Sequence, residues 1–310
     1  MIRRAVAAGR FYEGDEAALR EQITECFLDE RGPGLLPEIA TREERVKGCV
    51  VPHAGYVFSG AVAAHSYAEI AKDGFSDKFI IVGPNHTGLG SEVALMSEGE
   101  WETPLGAVPV DEEIAGRVVG GIVSDDAMAH LYEHSVEVQL PFLQFSLKSR
   151  AEKIKILPLL VSDDLDLDRA SHDLKEALGK LRKKACFIVS SDFIHYGPNY
   201  GFTPFSRSSD YSEYSEGSGR SEQNPGLVEE KIKKIRELDM KAIDYIKQVD
   251  AHGFLNYIRE TGATICGFLA IALFLKTVGF NRPVLEQYYT SGDVTGDYTN
   301  SVSYASLVFR

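Results

Sequence analysis

The sequence predicts an α/β fold with a central, mostly parallel or mixed sheet. Two observations carry this. Short apolar runs of strand length alternate with longer segments of helical periodicity. The chain of 310 residues is 44% hydrophobic, enough for one large core. That fits one large α/β domain or two small ones; because elements of the same character flank the stretch 201–226, we expect one domain over residues 1–310.

In chain order, residues 16–28 have helical spacing. Residues 49–51 form a short apolar run, and 60–72 a helix with small residues on one face. Residues 78–82 read as a strand, 92–96 as another, and 111–119 as a helix. Residues 135–147 have helical character, although Pro141 is placed to split them. Residues 155–161 form a strand, 167–180 a helix and 185–189 a buried strand. Residues 225–248 are amphipathic, with Ile232, Ile235, Leu238, Ile243 and Ile246 near helical spacing. Residues 266–278 read as an apolar helix, and 284–289 and 301–309 as strands. The stretch 201–226 is rich in Ser, Gly and Glu and breaks the pattern. It reads as a long loop, either a lid or disordered. Tyr200, Tyr211 and Tyr214 lie in or beside it.

The formal charge of −13 argues against nucleic acid and anionic membranes as partners. No run approaches the roughly 18 apolar residues of a membrane span, and the N-terminus lacks the apolar core of a signal peptide. The four cysteines are widely spaced without a CxxC pair, so neither a disulfide framework nor a zinc ribbon is implied. A cytoplasmic protein with free thiols is the expectation.

Position singles out three histidines. His53 follows the run Cys-Val-Val-Pro, and His86 follows Phe-Ile-Ile-Val-Gly-Pro-Asn. Asp192 and His195 follow Phe-Ile-Val-Ser-Ser. Sites in parallel α/β sheets form beyond the carboxyl ends of the strands, so these groups converge if their strands are parallel and adjacent. His134 opens His-Ser-Val-Glu, and on a helix that spacing puts His134 and Glu137 on one face. His65, His130, His172 and His252 read as surface or satisfied positions. Cys266 opens an apolar run, and three readings are open: a small core residue, a reactive thiol or a metal ligand. Thr264 is placed to cap a helix there. A thiolate with two imidazoles suits iron, zinc or copper, whereas calcium and magnesium favour oxygen shells.

Several blocks together resemble the Memo family. They are Val-Pro-His-Ala-Gly-Tyr, Gly-Pro-Asn-His, Trp-Glu-Thr-Pro-Leu-Gly, His-Ser-Val-Glu-Val-Gln-Leu-Pro-Phe-Leu, Ser-Ser-Asp-Phe-Ile-His-Tyr-Gly and Thr-Ile-Cys-Gly. The N-terminal Ala-Gly-Arg-Phe-Tyr and a terminal Tyr-Thr-Ser-Gly-Asp fit as well. The resemblance implies a three-layer α/β/α fold like that of class III extradiol ring-cleavage dioxygenases. It implies a metal pocket of His53, His86 and Cys266, with Asp192 and His195 beside it. It also implies iron or copper chemistry and, for microbial members, association with AMMECR-type and radical-SAM proteins.

The dioxygenases use a carboxylate where this chain has Cys266, which sets the family apart from ring cleavage. Three functions follow as expectations. The first is a metal-dependent redox enzyme acting on an unknown small molecule, with His195 as acid/base, Asp192 as its orienter, and His134 and Glu137 behind them. The others are a peptide- or protein-binding module and a zinc-type hydrolase.

Overall fold

A computed structural model describes residues 1–40, 46–74, 76–179, 181, 184–205, 225–279 and 283–310. In chain order the elements are β1 (Ile2–Arg3), α1 (Glu16–Leu28), β2 (Gly48–Val51), α2 (Tyr56–Asp73), β3 (Lys78–Pro84), β4 (Val93–Leu95), β5 (Glu100–Thr103), β6 (Gly106–Pro109), α3 (Glu112–Val118), β7 (Val123–Asp125), α4 (Gln139–Leu147), β8 (Lys155–Val161), α5 (Leu167–Leu178), β9 (Cys186–Ser190), β10 (His195–Tyr196), α6 (Pro225–Lys247), α7 (Ala251–Thr261), α8 (Phe268–Thr277), β11 (Val284–Thr290), α9 (Ser291–Thr295) and β12 (Ser301–Phe309).

The large sheet has the order β10-β12-β2-β9-β3-β8-β4-β7, with β11 also paired to β12. Its middle, β2-β9-β3-β8, is parallel. Antiparallel neighbours, β12 and β4, close it on either side. The parallel strands are almost wholly buried, as strands covered on both faces must be. Successive strand residues face opposite ways, and β2 shows what covers each face. A Cβ on Gly48 would fall 2.7 Å from Phe274 of α8, whereas the Cys49 thiol meets Ser66 of α2. Helices α1, α2 and α4 thus pack on one face, and α5, α7 and α8 on the other. This is the three-layer α/β/α arrangement. A small second sheet, β1-β5-β6, carries Arg3 and Trp101.

Local chemistry explains the element ends. Asp15 accepts the N–H groups of Ala17 and Ala18 and so starts α1. Pro141 does not split α4. It falls in the first turn, where backbone N–H groups have no intrahelical partner. The apolar helix expected from Cys266 begins at Phe268 instead, and Cys266 lies in the turn before it. The stretch 201–226 lies mostly outside the described residues.

No helix among the described residues is long and apolar enough to cross a membrane.

Candidate metal centre

Strands β2, β9 and β3 are adjacent and parallel, so the segments that leave their carboxyl ends meet. His53 leaves β2, His86 leaves β3, and Asp192 leaves β9. Cys266 arrives from the turn between α7 and α8, held against the β9 segment by a bridge between Ile194 and Ile265. Gly267 permits this approach, since a Cβ there would lie 2.7 Å from the Ser190 carbonyl.

One donor atom each from His53, His86 and Cys266 lies within 4.8 Å of the other two. The same holds for Asp192, His195 and Cys266. Cys266 Sγ is 3.2 Å from His53 Nε2. Around them the rings of His53, His86 and His134 gather, with centroids 5.1, 5.5 and 4.9 Å apart.

Hydrogen bonds fix the imidazole tautomers. The Ser190 hydroxyl donates its one proton to the Ser135 carbonyl at 2.6 Å and accepts from Gln139 Nε2 at 2.9 Å. Gln139 also donates to the Pro52 carbonyl, which settles its orientation. His53 Nδ1, 2.9 Å from the same hydroxyl, must therefore be the donor, and its Nε2 keeps a lone pair facing Cys266. His86 Nδ1 lies 3.0 Å from Glu133 Oε1, an acceptor when ionised. His195 Nδ1 lies 3.0 Å from the carbonyls of both Phe193 and Thr264, which can only accept. In all three rings Nδ1 carries the proton and Nε2 keeps its lone pair, which in His53 faces the Cys266 thiol. That is how proteins prepare metal-ligating histidines.

Charge follows burial and partners. Burial, reinforced by His86 and His134, holds His53 well below the ordinary imidazole range, so it stays neutral. Burial also pulls on His86, but the Glu133 hydrogen bond and charge outweigh it and raise that ring. Burial would raise Glu133, yet the His86 bond, the charges of His86 and His134 and the Ser135 amide pull it down to about 2. Burial and then the neighbouring Asp192 push the Cys266 thiol up. The expected Thr264 helix cap is absent: its hydroxyl donates to the His195 carbonyl and accepts from the His195 amide. The amides of Asp192 and of Gly267, which opens α8, and the Ser191 side chain pull the thiol back down, but by less than burial and Asp192 raise it. A cation bound among these donors is what would favour its thiolate.

Besides Thr264, the site departs from the sequence-based reading at Asp192, which holds the His53 and Ala54 amides while backbone carbonyls orient the His195 ring, and at Glu137. His134 and Glu137 do not pair, because residues 134–137 form a turn and not a helix. Glu137 is enclosed by Arg3, Tyr12 and the amides of Val6 and Ala7. Glu133 takes the role given to Glu137. Its carboxylate accepts the amides of His86, His134 and Ser135 and faces both imidazoles. A carboxylate directly before a turn, able to accept its first N–H groups, was the available signal. Phe11, stacked on His134 at 4.3 Å, and Tyr200, edge-on to His195 at 5.2 Å, complete the walls. His65 and His130 lie elsewhere, bonded to the carbonyls of Arg31 and Ala94.

Known proteins resemble this chain over its whole length. The Memo-like protein family model matches residues 3–308. A MEMO1 family protein of Methanothermobacter thermautotrophicus is 38% identical over 99% of this chain and 100% of its own length. One of Methanopyrus kandleri is 37% identical over 100% of this chain and 99% of its own. One of Pyrococcus furiosus is 38% identical over the same shares. On a match of this extent, the chain belongs to the Memo-like protein family.

Proposed function

We propose that the chain is a metal-dependent redox enzyme for a small hydroxylated or aromatic substrate, with His53, His86 and Cys266 holding iron, or copper in its place. One observation carries this reading: three converging soft and borderline donors, with the histidine nitrogens freed by fixed Nδ1 protons. Bound iron supplies redox chemistry and Lewis acidity. His195 has its Nδ1 proton committed to two carbonyls, so Nε2 can take a proton from a substrate hydroxyl. Asp192 uses one oxygen to hold the His53 and Ala54 amides. Phe11, His134 and Tyr200 wall the space. Glu133 keeps His86 and His134 in place.

Anaerobic reconstitution with ferrous iron tests the site. Stoichiometric uptake, lost in Cys266→Ala, is the expected result, and wild-type protein that takes up none sinks it. Dioxygen consumption with a catechol-like compound then tests turnover.

A second reading, a zinc hydrolase, draws on Asp192 Oδ2. That oxygen accepts no hydrogen bond among the described residues and lies 4.0 Å from His53 Nε2, where it could serve as a base. Elemental analysis of the native protein separates the two.

A further inference from the structure

Helix α6 carries a polar residue where its pattern calls for an apolar one. Asp239 stands four residues after Ile235 and four before Ile243, on the stripe that packs inward. It is fully buried, and no ion pair to it exists among the described residues. A carboxyl in such a place is costly unless hydrogen-bonded. Its partners are specific. Oδ1 accepts the Ile194 amide at 3.1 Å, and Oδ2 accepts the Tyr288 hydroxyl at 2.7 Å.

Ile194 lies between Asp192 and His195. Strand β12 already holds this turn twice, through Phe193 N–H to the Ser303 carbonyl at 2.8 Å and Ser303 N–H to the Ile194 carbonyl at 2.9 Å. Thr264 holds its His195 end through that residue's amide and carbonyl, and Asp239 adds a further tie that reaches the turn from another layer. Without it, a wholly buried amide has no acceptor. The His195 ring depends on this turn directly, since its Nδ1 proton goes in part to the Phe193 carbonyl.

We infer that Asp239 is a positioning residue for the site: through the Ile194 amide it fixes the turn that carries Asp192 and His195, and so makes α6 part of the site's frame. The inference rests on the proposed function only for what His195 does, because protein groups alone make the tie. Burial, countered by Ser303, Tyr288 and the Ile194 amide, raises the Asp239 carboxyl to about 6. The other groups facing this cluster are Arg236, 5.4 Å over the Tyr288 ring, and Tyr257 of α7.

The test uses nitrogen-15 spectra of the full, metal-free chain. The Ile194 amide proton should shift with pH in a step centred near the Asp239 value of about 6. Asp239→Asn should abolish that step yet keep His195 in its Nδ1–H tautomer, because the amide oxygen still accepts from Ile194. Asp239→Leu fills the space without an acceptor, and should draw the two His195 ring-nitrogen shifts together as the tautomers mix. His195→Gln should leave the Ile194 step in place. A step that survives Asp239→Asn or vanishes in His195→Gln overturns the inference, as does a wild-type His195 spectrum in Asp239→Leu. If the Leu variant does not fold, the wild-type and Asn titrations decide. Failure to bind metal would overturn the proposed function and leave these spectra unchanged.

Discussion

Glu133 and Glu137 are both buried carboxylates, four residues apart, and they do different work. Glu137 meets a guanidinium, a phenol and two backbone amides, and ties the N-terminal strand to the turn before α4. Glu133 meets two imidazoles and three amides, and fixes the tautomer of His86. Burial is the same for both; the partners differ. A carboxylate among permanent cations and amides is a structural tie. A carboxylate that faces imidazoles controls what those rings can bind.

The comparison breaks first, and with the largest effect, at the N-terminal tie. Arg3 and Glu137 are 1% and 0% exposed, so removing one leaves the other as an unpaired buried charge. Arg3→Met should cost about 3–5 kcal/mol in chemical denaturation. Metal bound per folded molecule should not change. If the folded variant lost metal, the two carboxylates would not be separable in role.

Glu133→Gln sharpens the other half. It retains a hydrogen-bonding group but loses the charge that holds the His86 proton. Metal affinity, measured by competition with a chelator, should fall roughly 10–100-fold. Stability should change less than in Arg3→Met.

A further effect lies in the acid limb of stability. Glu133 is held down to about 2 in the fold, against an ordinary glutamate value near 4.5. The unfolded chain therefore takes up this proton first as pH falls. The stabilisation is complete above about 4.5 and fades toward about 2. Glu133→Gln should flatten that part of the curve in metal-free protein, and an unchanged slope would contradict the assignment.

Much of the frame was legible in the sequence because long apolar runs bounded by polar turns leave few options. The strand at 155–161 and the helix at 16–28 agree with the expectation to the residue. Convergence of His53, His86, Asp192 and His195 needed only that three strands be parallel neighbours, and they are. The misses were local. Helix α7, which packs on its chain neighbours α6 and α8, goes unrecognised in the sequence, and the hairpin of β5 and β6 is too short to show a clear period. Helical spacing pairs His134 with Glu137, but the stretch is a turn, and Glu133 is the carboxylate that faces His134. Asp239 interrupts an apolar stripe, but its partners come from β9's exit, β11 and β12, which periodicity on α6 cannot reveal. Cys266 was open between core and site. The other cysteines, Cys26, Cys49 and Cys186, are buried away from these donors, and only Cys266 is partly exposed.

That contrast gives the most direct measurement. Wild-type, Cys266→Ala and Cys49→Ala proteins are reconstituted anaerobically with ferrous iron, desalted and assayed for bound metal. Stoichiometric iron is expected in the wild type and Cys49→Ala, and its loss in a folded Cys266→Ala. A Cys266→Ala protein that keeps its full complement of iron would contradict the role of Cys266 as a ligand.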